Sequence, residues 1–233
     1  MLINRKFQFL IFTTLFISTQ SALAKPTDIE RANTIAQSMI GTFSGASDQA
    51  QSTIKMIAAM ESVSESEIQQ RFNESDSKPQ SISEKMLDML KEQCNAMQCD
   101  AKDLKVIVPA FQKQIAVQSS VYKSCKIDGN PKKSKDSFEV PLICNVPIID
   151  FKNIQLPKKS TKESDTQYMA KLINISNDQI SKAPREVFKT SILIHKVDEQ
   201  LIPEMDDSSY FPDTVSNKMT GTTEEELMKE NQK

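Results

Sequence analysis

Only a few residues of this 233-residue chain could perform catalysis, and their spacing argues against a hydrolase. Ser52 and Lys55 have the Ser-x-x-Lys spacing in which a lysine can activate a serine nucleophile, and Ser120 and Lys123 repeat it. The companion motif Ser-Asp-Asn is absent, and residues 189–191 are Lys-Thr-Ser where such enzymes have Lys-Thr-Gly. Because the chain is rich in serine and lysine, we expect both matches by chance. A Ser/Lys hydrolase is therefore the least favoured function.

Metal, cofactor and nucleic-acid sites are also poorly represented. The chain has one histidine, His195, and four glycines, whereas zinc sites usually combine closely spaced cysteines with histidine and phosphate loops need glycine. Lysine clusters at 132–135 and 158–162 could form a basic patch, but they lack interleaved aromatic residues and are typical of solvated loops. We predict no catalytic residue, no metal, no cofactor and no nucleic acid, and we interpret His195 as an ordinary strand residue.

The first 24 residues have the three parts of a cleavable signal peptide. Arg5 and Lys6 form a basic start, residues 7–17 are apolar, and Ala22 and Ala24 are the small residues expected before the cleavage site. The apolar run is shorter than the roughly 20 residues that span a bilayer, and no later segment is as apolar. We therefore predict a periplasmic or secreted protein with no stable membrane insertion after cleavage.

A strand with one buried face is predicted between residues 138 and 148. Every even position there is apolar, which is the period-two pattern of a half-buried strand. Those positions are Phe138, Val140, Leu142, Cys144, Val146 and Ile148. Pro141 and Pro147 cannot donate to a ladder, so one side of this strand should be unpaired or bulged.

The segment before this strand also alternates, and the polar loop at 128–136 predicts a hairpin between the two. One register of that hairpin places Cys125 opposite Cys144 on the apolar face. The same register aligns two apolar pairs, Ile127 with Leu142 and Val121 with Ile148.

An exported chain with four cysteines is expected to contain two disulfides, and four cysteines allow three pairings. The hairpin register favours Cys125–Cys144, which leaves Cys94–Cys99. Their spacing requires a helix to end between Cys94 and Cys99, and Asp100 can cap the next helix. The alternative is that Cys94 and Cys99 each join the helical part to the hairpin.

The pattern as a whole predicts an α+β fold. Thr27 and Glu30 have the spacing of a capping box, and helical periods follow it through a helical region at 25–119. Residues 120–203 should form a small antiparallel β-sheet with one inserted helix, stapled by disulfides. From residue 204 apolar residues become sparse and acidic residues exceed basic ones, so we predict that 204–233 is an acidic, disordered tail.

The favoured function is that of an exported, non-catalytic protein that binds another exported or envelope protein. It could be an accessory factor of a cell-envelope or secretion assembly, or an inhibitor or immunity protein. Methionine-bearing helices would give an adaptable binding surface, although such a stripe is more often core; the methionines are Met39, Met56, Met60, Met86, Met89 and Met97. The alternative is a periplasmic carrier of an apolar small molecule, held in a pocket between helices and sheet. A solid core there would count against the carrier.

Overall fold

The predicted α+β class is confirmed by the computed structural model. It describes residues 25–45, 48–75, 82–96, 99–150, 154–205 and 210–221. Within these ranges the chain forms seven helices, most of them N-terminal, and one antiparallel sheet of five strands. The predicted signal peptide, residues 1–24, lies outside the described residues.

Five of the described helices precede the sheet, one is inserted into it and one follows it. The helices are α1 (Asp28–Phe43), α2 (Gln49–Glu61), α3 (Glu65–Glu74), α4 (Ile82–Ala96), α5 (Ala101–Tyr122), α6 (Asp165–Lys182) and α7 (Phe211–Thr220). The strands are β1 (Lys126–Ile127), β2 (Lys132–Lys133), β3 (Ser137–Pro147), β4 (Arg185–Val197) and β5 (Gln200–Pro203).

Helix α1 begins at the predicted capping box. The backbone N–H of Glu30 donates to the Thr27 hydroxyl at 3.3 Å, and the Glu30 carboxylate accepts from the Thr27 N–H at 2.7 Å. Because these contacts satisfy donors that a helix leaves free at its N-terminus, local sequence fixes where α1 starts. Its buried side then packs on the sheet through Ala32, Ile35, Ala36 and Met39.

Strand β3 lies at the centre of the sheet. The order is β1-β3-β4-β5, and β2 pairs with β3 as well. Strand β4 pairs with the whole of β3, from Ser137 opposite His195 to Pro147 opposite Arg185. Strand β5 follows β4 after a tight turn in which Asp198 has a φ of 55°.

Pro141 explains why two short strands, rather than one long strand, pair with the outer edge of β3. Its carbonyl accepts the Asp128 N–H at 2.8 Å, so its nitrogen, which carries no hydrogen, is directed to the same edge. Strand β1 pairs with residues 142–143 and β2 with residues 138–139. The ladder is therefore interrupted where the donor is missing, as the sequence predicts.

The even-numbered side chains of β3 form the centre of the core. Phe138, Val140 and Leu142 are at most 1% exposed, and α1, α5 and α7 contact this strand. Ile192 and Ile194 of β4 lie beside them and are at most 2% exposed. Burial of a side chain of this size contributes about 1.5–3 kcal/mol, so this face holds the two layers together.

The four cysteines form the two disulfides that the hairpin register favours. Cys125–Cys144 joins the residues after α5 to β3, with 4.0 Å between the Cα atoms. Cys94–Cys99 joins the last turn of α4 to the residue before Asp100, with 5.1 Å between the Cα atoms. Asp100 caps α5, as its position after the cysteine predicts.

One detail of the predicted hairpin is wrong. Ile127 lies opposite Leu142, as expected. Val121, however, does not pair with Ile148, because α5 continues to Tyr122 instead of ending near residue 119. Val121 lies in the last turn of that helix and is 2% exposed, so its apolar character reflects burial of a helix rather than of a strand.

Removal of Cys125–Cys144 should cost more stability than removal of Cys94–Cys99. The sequence separations are 19 and 5 residues, for which loop-closure entropy gives losses of about 3 and about 2 kcal/mol. The variants are Cys125→Ala/Cys144→Ala and Cys94→Ala/Cys99→Ala, compared by urea unfolding monitored by circular dichroism. An equal or greater loss in the second variant would contradict the prediction.

The predicted disordered tail is wrong for residues 210–221. Helix α7 lies there, and Phe211 and Val215 are each 1% exposed. The Met219 carbonyl also accepts the Ile149 N–H at 3.0 Å. Because the three apolar residues recur every fourth position, they form one stripe that packs on the core despite the acidic composition around them.

Candidate functional site

The second face of the sheet is left open by α1, α5 and α7, which pack on the face that contains Phe138. The odd-numbered side chains of β3 and β4 lie on this opposite side, together with Ile202 of β5. Val187 is 68% exposed and Ile202 is 38% exposed. We call this surface the open face; its apolar residues are Pro141, Ile143, Val187, Leu193, Val197 and Ile202. These residues alternate along the sheet with polar side chains, so the open face is a mixed apolar and polar surface, the composition that many non-obligate protein interfaces have.

Lysines flank the apolar residues of the open face. Lys126 of β1 lies opposite Ile143, and Lys189 of β4 lies opposite Ile143 on its other side. The side chains of one row across the sheet are therefore Lys, Ile and Lys. The Lys189 Nζ is 3.4 Å from the Asp128 carboxylate, and the two side chains are 74% and 42% exposed, so solvent screens this pair.

A pocket of about 380 Å³ lies at the β2 end of the open face. Its walls include Lys132, Ser134, Glu139 and Leu193. The Lys132 and Glu139 side chains in its walls are 72% and 45% exposed, so the pocket is open to solvent and does not enclose a ligand. Such a pocket suits one anchoring side chain of a partner better than an apolar small molecule, which needs a mostly apolar enclosure.

His195 also lies on the open face, where it is an ordinary strand residue as predicted. It lies opposite Ser137 on β3, and its Nε2 is 3.8 Å from the Glu204 carboxylate. Serine, histidine and an acid are therefore neighbours, but 3.8 Å is longer than a hydrogen bond. The His195 side chain is 45% exposed, so its imidazole is in contact with water and is not held in place by the acid, as it would be in a catalytic triad.

The two Ser-x-x-Lys matches do not form a nucleophile site. A Cβ at Gly41 would lie 2.6 Å from the Ser52 Oγ, which shows that Ser52 is pressed against α1. Lys55 is exposed at the surface. Ser120 donates to a carbonyl of its own helix at 2.6 Å, and Lys123 is exposed after that helix. Activation by lysine requires the two side chains to meet in a pocket, and neither pair does so.

The space between helices and sheet, where the carrier hypothesis places a pocket, is filled by side chains. Ile35 and Met39 of α1 are at most 2% exposed. They belong to the same cluster as Phe138, Ile194 and Phe211, each at most 1% exposed. This solid core counts against a carrier of apolar small molecules.

A groove of about 740 Å³ lies between the start of α1 and the turn that joins α2 to α3. Arg31 is one of its lining residues, yet its side chain is only 4% exposed. The guanidinium donates to the carbonyls of Ala59 at 2.8 Å and of Met60 and Glu199 at 2.9 Å. It also pairs with Asp28 at 2.9 Å. Since these donors are directed at the protein, Arg31 joins structural elements and is not free to bind a ligand.

Asp28 connects this arginine to the sheet. The Lys196 ammonium lies 2.7 Å from the Asp28 carboxylate, and Arg31 lies on its other oxygen. The two cations, Lys196 first, hold the pKa of Asp28 below its usual range. Sequence reasoning missed this network because its members are distant in the chain.

The methionines do not form the adaptable surface that the sequence suggested. Met39 is 2% exposed, and Met56 and Met60 pack against the same core. Met89 of α4 is 54% exposed, and Met97 lies outside the described residues. The stripe on α1 and α2 is therefore core.

The two lysine clusters lie on different elements. The first comprises β2 and the residues that follow it, and the second lies in the segment before α6. Lys133 stands over the Phe138 ring at 5.9 Å, and Lys159 forms an ion pair with Asp165. These local contacts account for two of the lysines without a shared ligand.

The residues of the open face were missed by sequence reasoning, although a weak signal for them exists. Ile143 is an apolar residue on the supposedly polar side of β3. In β4, Val187 and Leu193 alternate with the core residues Phe188 and Ile192. A strand that is apolar on both faces in a two-layer protein indicates that its outer face has a partner.

Comparisons with known proteins leave the function open. No protein-family model matches the sequence, and no curated protein matches it. The chain is similar to a solved structure of a candidate lipoprotein (ycdA) from Bacillus subtilis, at 12% sequence identity and a TM-score of 0.41. The match covers 83% of this chain and 56% of that one, so the chain spans about half the length of that protein. None of the helices in the described ranges has the length and apolar character needed to span a membrane.

Proposed function

We propose that this chain is an exported, non-catalytic protein that binds another protein of the cell envelope through the open face of its sheet. The observation that carries the proposal is the open face itself, on which Val187, Leu193 and Ile202 stay at least partly exposed because α1, α5 and α7 pack on the other side of the sheet. A folded protein gains stability by covering such a surface, so its exposure is a cost that a partner would remove.

Export is supported by two features. The signal-like pattern of residues 1–24 would direct the chain out of the cytoplasm. The disulfides Cys94–Cys99 and Cys125–Cys144 are of the kind that persist in oxidising compartments. An accessory factor of an envelope or secretion assembly fits these features, as does an inhibitor or immunity protein.

The proposal is tested by placing a photo-reactive phenylalanine analogue at Val187 in the full-length chain, expressed with its own leader. We expect one predominant covalent adduct of defined mass in the envelope fraction. The matched control is the same analogue at Met169, which is 52% exposed on α6 and lies away from the sheet. The adduct should be absent there, because Met169 is also exposed but lies on α6 and not on the open face.

A quantitative measurement follows with the purified partner. Val187→Ser should raise the dissociation constant of the complex with this partner about ten-fold, since burial of a valine contributes about 1.5 kcal/mol. Met169→Ser should leave the affinity unchanged. Equal adducts at both positions, or none at Val187 in a folded and exported chain, would reject the proposed function.

A further inference from the structure

We propose that the open face binds an amphipathic helix whose apolar stripe is flanked by acidic residues. This rests on the function proposed above and adds the chemistry of the partner. The helix would lie along β3, with its stripe on Ile143 and its carboxylates beside Lys126 and Lys189.

The spacing of the two lysines fits a helix. Lys126, Ile143 and Lys189 occupy one row across three neighbouring strands. Since neighbouring strands lie about 4.8 Å apart, the two lysine backbones are about 10 Å apart. A helix with its side chains is about 10–12 Å wide, so flanking carboxylates would reach both ammonium groups while its stripe covers Ile143.

The charge of the open face selects an acidic partner. Besides the two lysines, Lys132 and Arg185 occupy positions on the same face, through their pairing with Glu139 and Pro147. Lys132 lies 3.7 Å from the Glu139 carboxylate and Lys189 lies 3.4 Å from that of Asp128, so these two carboxylates offset half of the four cationic charges. Cations therefore predominate on this surface, whereas the whole chain has a net charge of −2. Complementary charge would speed association and fix the orientation of the helix.

The same features argue against a second copy of this chain as the occupant. A two-fold interface places the same surface on both sides. Each copy would then present a surface on which cations outnumber carboxylates, and an excess of like charge across an interface is unfavourable.

A lipid surface is also disfavoured by the residues of the open face. Proteins that lie on membranes commonly insert tryptophan, phenylalanine or leucine among their basic residues. The chain contains no tryptophan, and the odd-numbered residues of β3 and β4 include no aromatic ring other than that of His195.

The test uses the purified, exported chain and three fluorescein-labelled helical peptides of 18 residues. All three share a leucine stripe, and their flanking positions are Glu, Gln or Lys. We expect the Glu peptide to bind at least ten-fold more tightly than the Lys peptide by fluorescence anisotropy at 50 mM NaCl. Its affinity should fall at 500 mM NaCl, because salt screens exposed charges.

Matched variants assign the effect to the open face. Lys126→Gln/Lys189→Gln should lower the affinity for the Glu peptide about five-fold, as expected for two exposed ion pairs. The affinity for the Gln peptide should stay unchanged. Lys102→Gln/Lys105→Gln, which changes exposed lysines on α5, should alter neither.

Several results would overturn the proposal. Equal affinity of the Glu and Gln peptides is one such result, and a control variant that weakens binding as much as the open-face variant is another. Binding to phosphatidylglycerol vesicles that is lost in Lys126→Gln/Lys189→Gln, with no peptide bound, would assign the face to a membrane. A dimer by sedimentation that the same variant dissociates would assign it to a second copy. A crosslink at Val187 together with any of these peptide results would reject the acidic helix and leave the proposed function intact.

Discussion

Replacement of Arg31 by methionine is expected to lower the free energy of unfolding by about 3–5 kcal/mol. The side chain is 4% exposed and joins α1 to two other parts of the chain through three carbonyls. It reaches the last turn of α2 through Ala59 and Met60, and the turn before β5 through Glu199. Methionine has a similar length, so the change removes hydrogen bonds with little change in packing.

The expected loss is large because of what the substitution leaves behind. The carbonyls of Ala59 and Met60 belong to the end of a helix, where no intrahelical donor is available. A buried acceptor that loses its donor costs about 1–3 kcal/mol. Asp28 keeps only Lys196 as its cationic partner, so its carboxylate is also less well compensated.

Arg71 provides the control. It pairs with Glu61 at 2.5 Å and with Glu67 at 2.6 Å, but its side chain is 49% exposed. Solvent screens these pairs, so Arg71→Met should change the urea midpoint very little. Arg31→Lys should recover only part of the loss, since an ammonium lacks the planar fork that reaches several carbonyls at once. If Arg31→Met and Arg71→Met shift the midpoint equally, the structural role of Arg31 is wrong.

The elements that the sequence predicts well are those specified by local pattern. The capping box at Thr27 and Glu30 depends on residues three apart in the chain. The period-two stretch of β3 needs only a single buried face, and it also aligns Cys125 with Cys144. In each case the physical cause lies within a few residues or in one hairpin, which is why inspection of the sequence is sufficient.

The features that the sequence does not predict depend on contacts between distant segments. In the sequence, Arg31 resembles a surface residue of an amphipathic helix. Its burial depends on Ala59 and Glu199, whose carbonyls reach it only in the folded protein. The open face exists because the described helices cover only one side of the sheet. The alternation of residues around Val187 and Leu193 does not reveal which side of β4 the helices cover. The burial of Arg31 and the exposure of one sheet face both result from tertiary packing, so neither can be predicted from composition or from the period of the sequence.

The clearest case is α7, for which composition and structure lead to opposite expectations about Phe211. A phenylalanine in a disordered tail would contribute nothing to stability. In the structure Phe211 is 1% exposed, and its ring centroid lies 5.8 Å from that of Tyr122 and 6.4 Å from that of Phe43, both in edge-on geometry. Phe211→Ala should therefore lower the free energy of unfolding by about 3–5 kcal/mol, through lost burial and the cavity left behind.

The measurement is urea unfolding monitored by far-ultraviolet circular dichroism, since the chain has no tryptophan to report by fluorescence. Phe72→Ala is the matched control, because that ring is half-buried beside a small cluster around Ile54 and Ile68. It should cost less than Phe211→Ala, since fewer contacts are lost where water already reaches the ring. Unchanged stability in Phe211→Ala would show that residues 210–221 are not part of the cooperative core. Loss on the expected scale, by contrast, would establish that the chain needs its acidic C-terminal part to complete the layer of helices beneath the sheet.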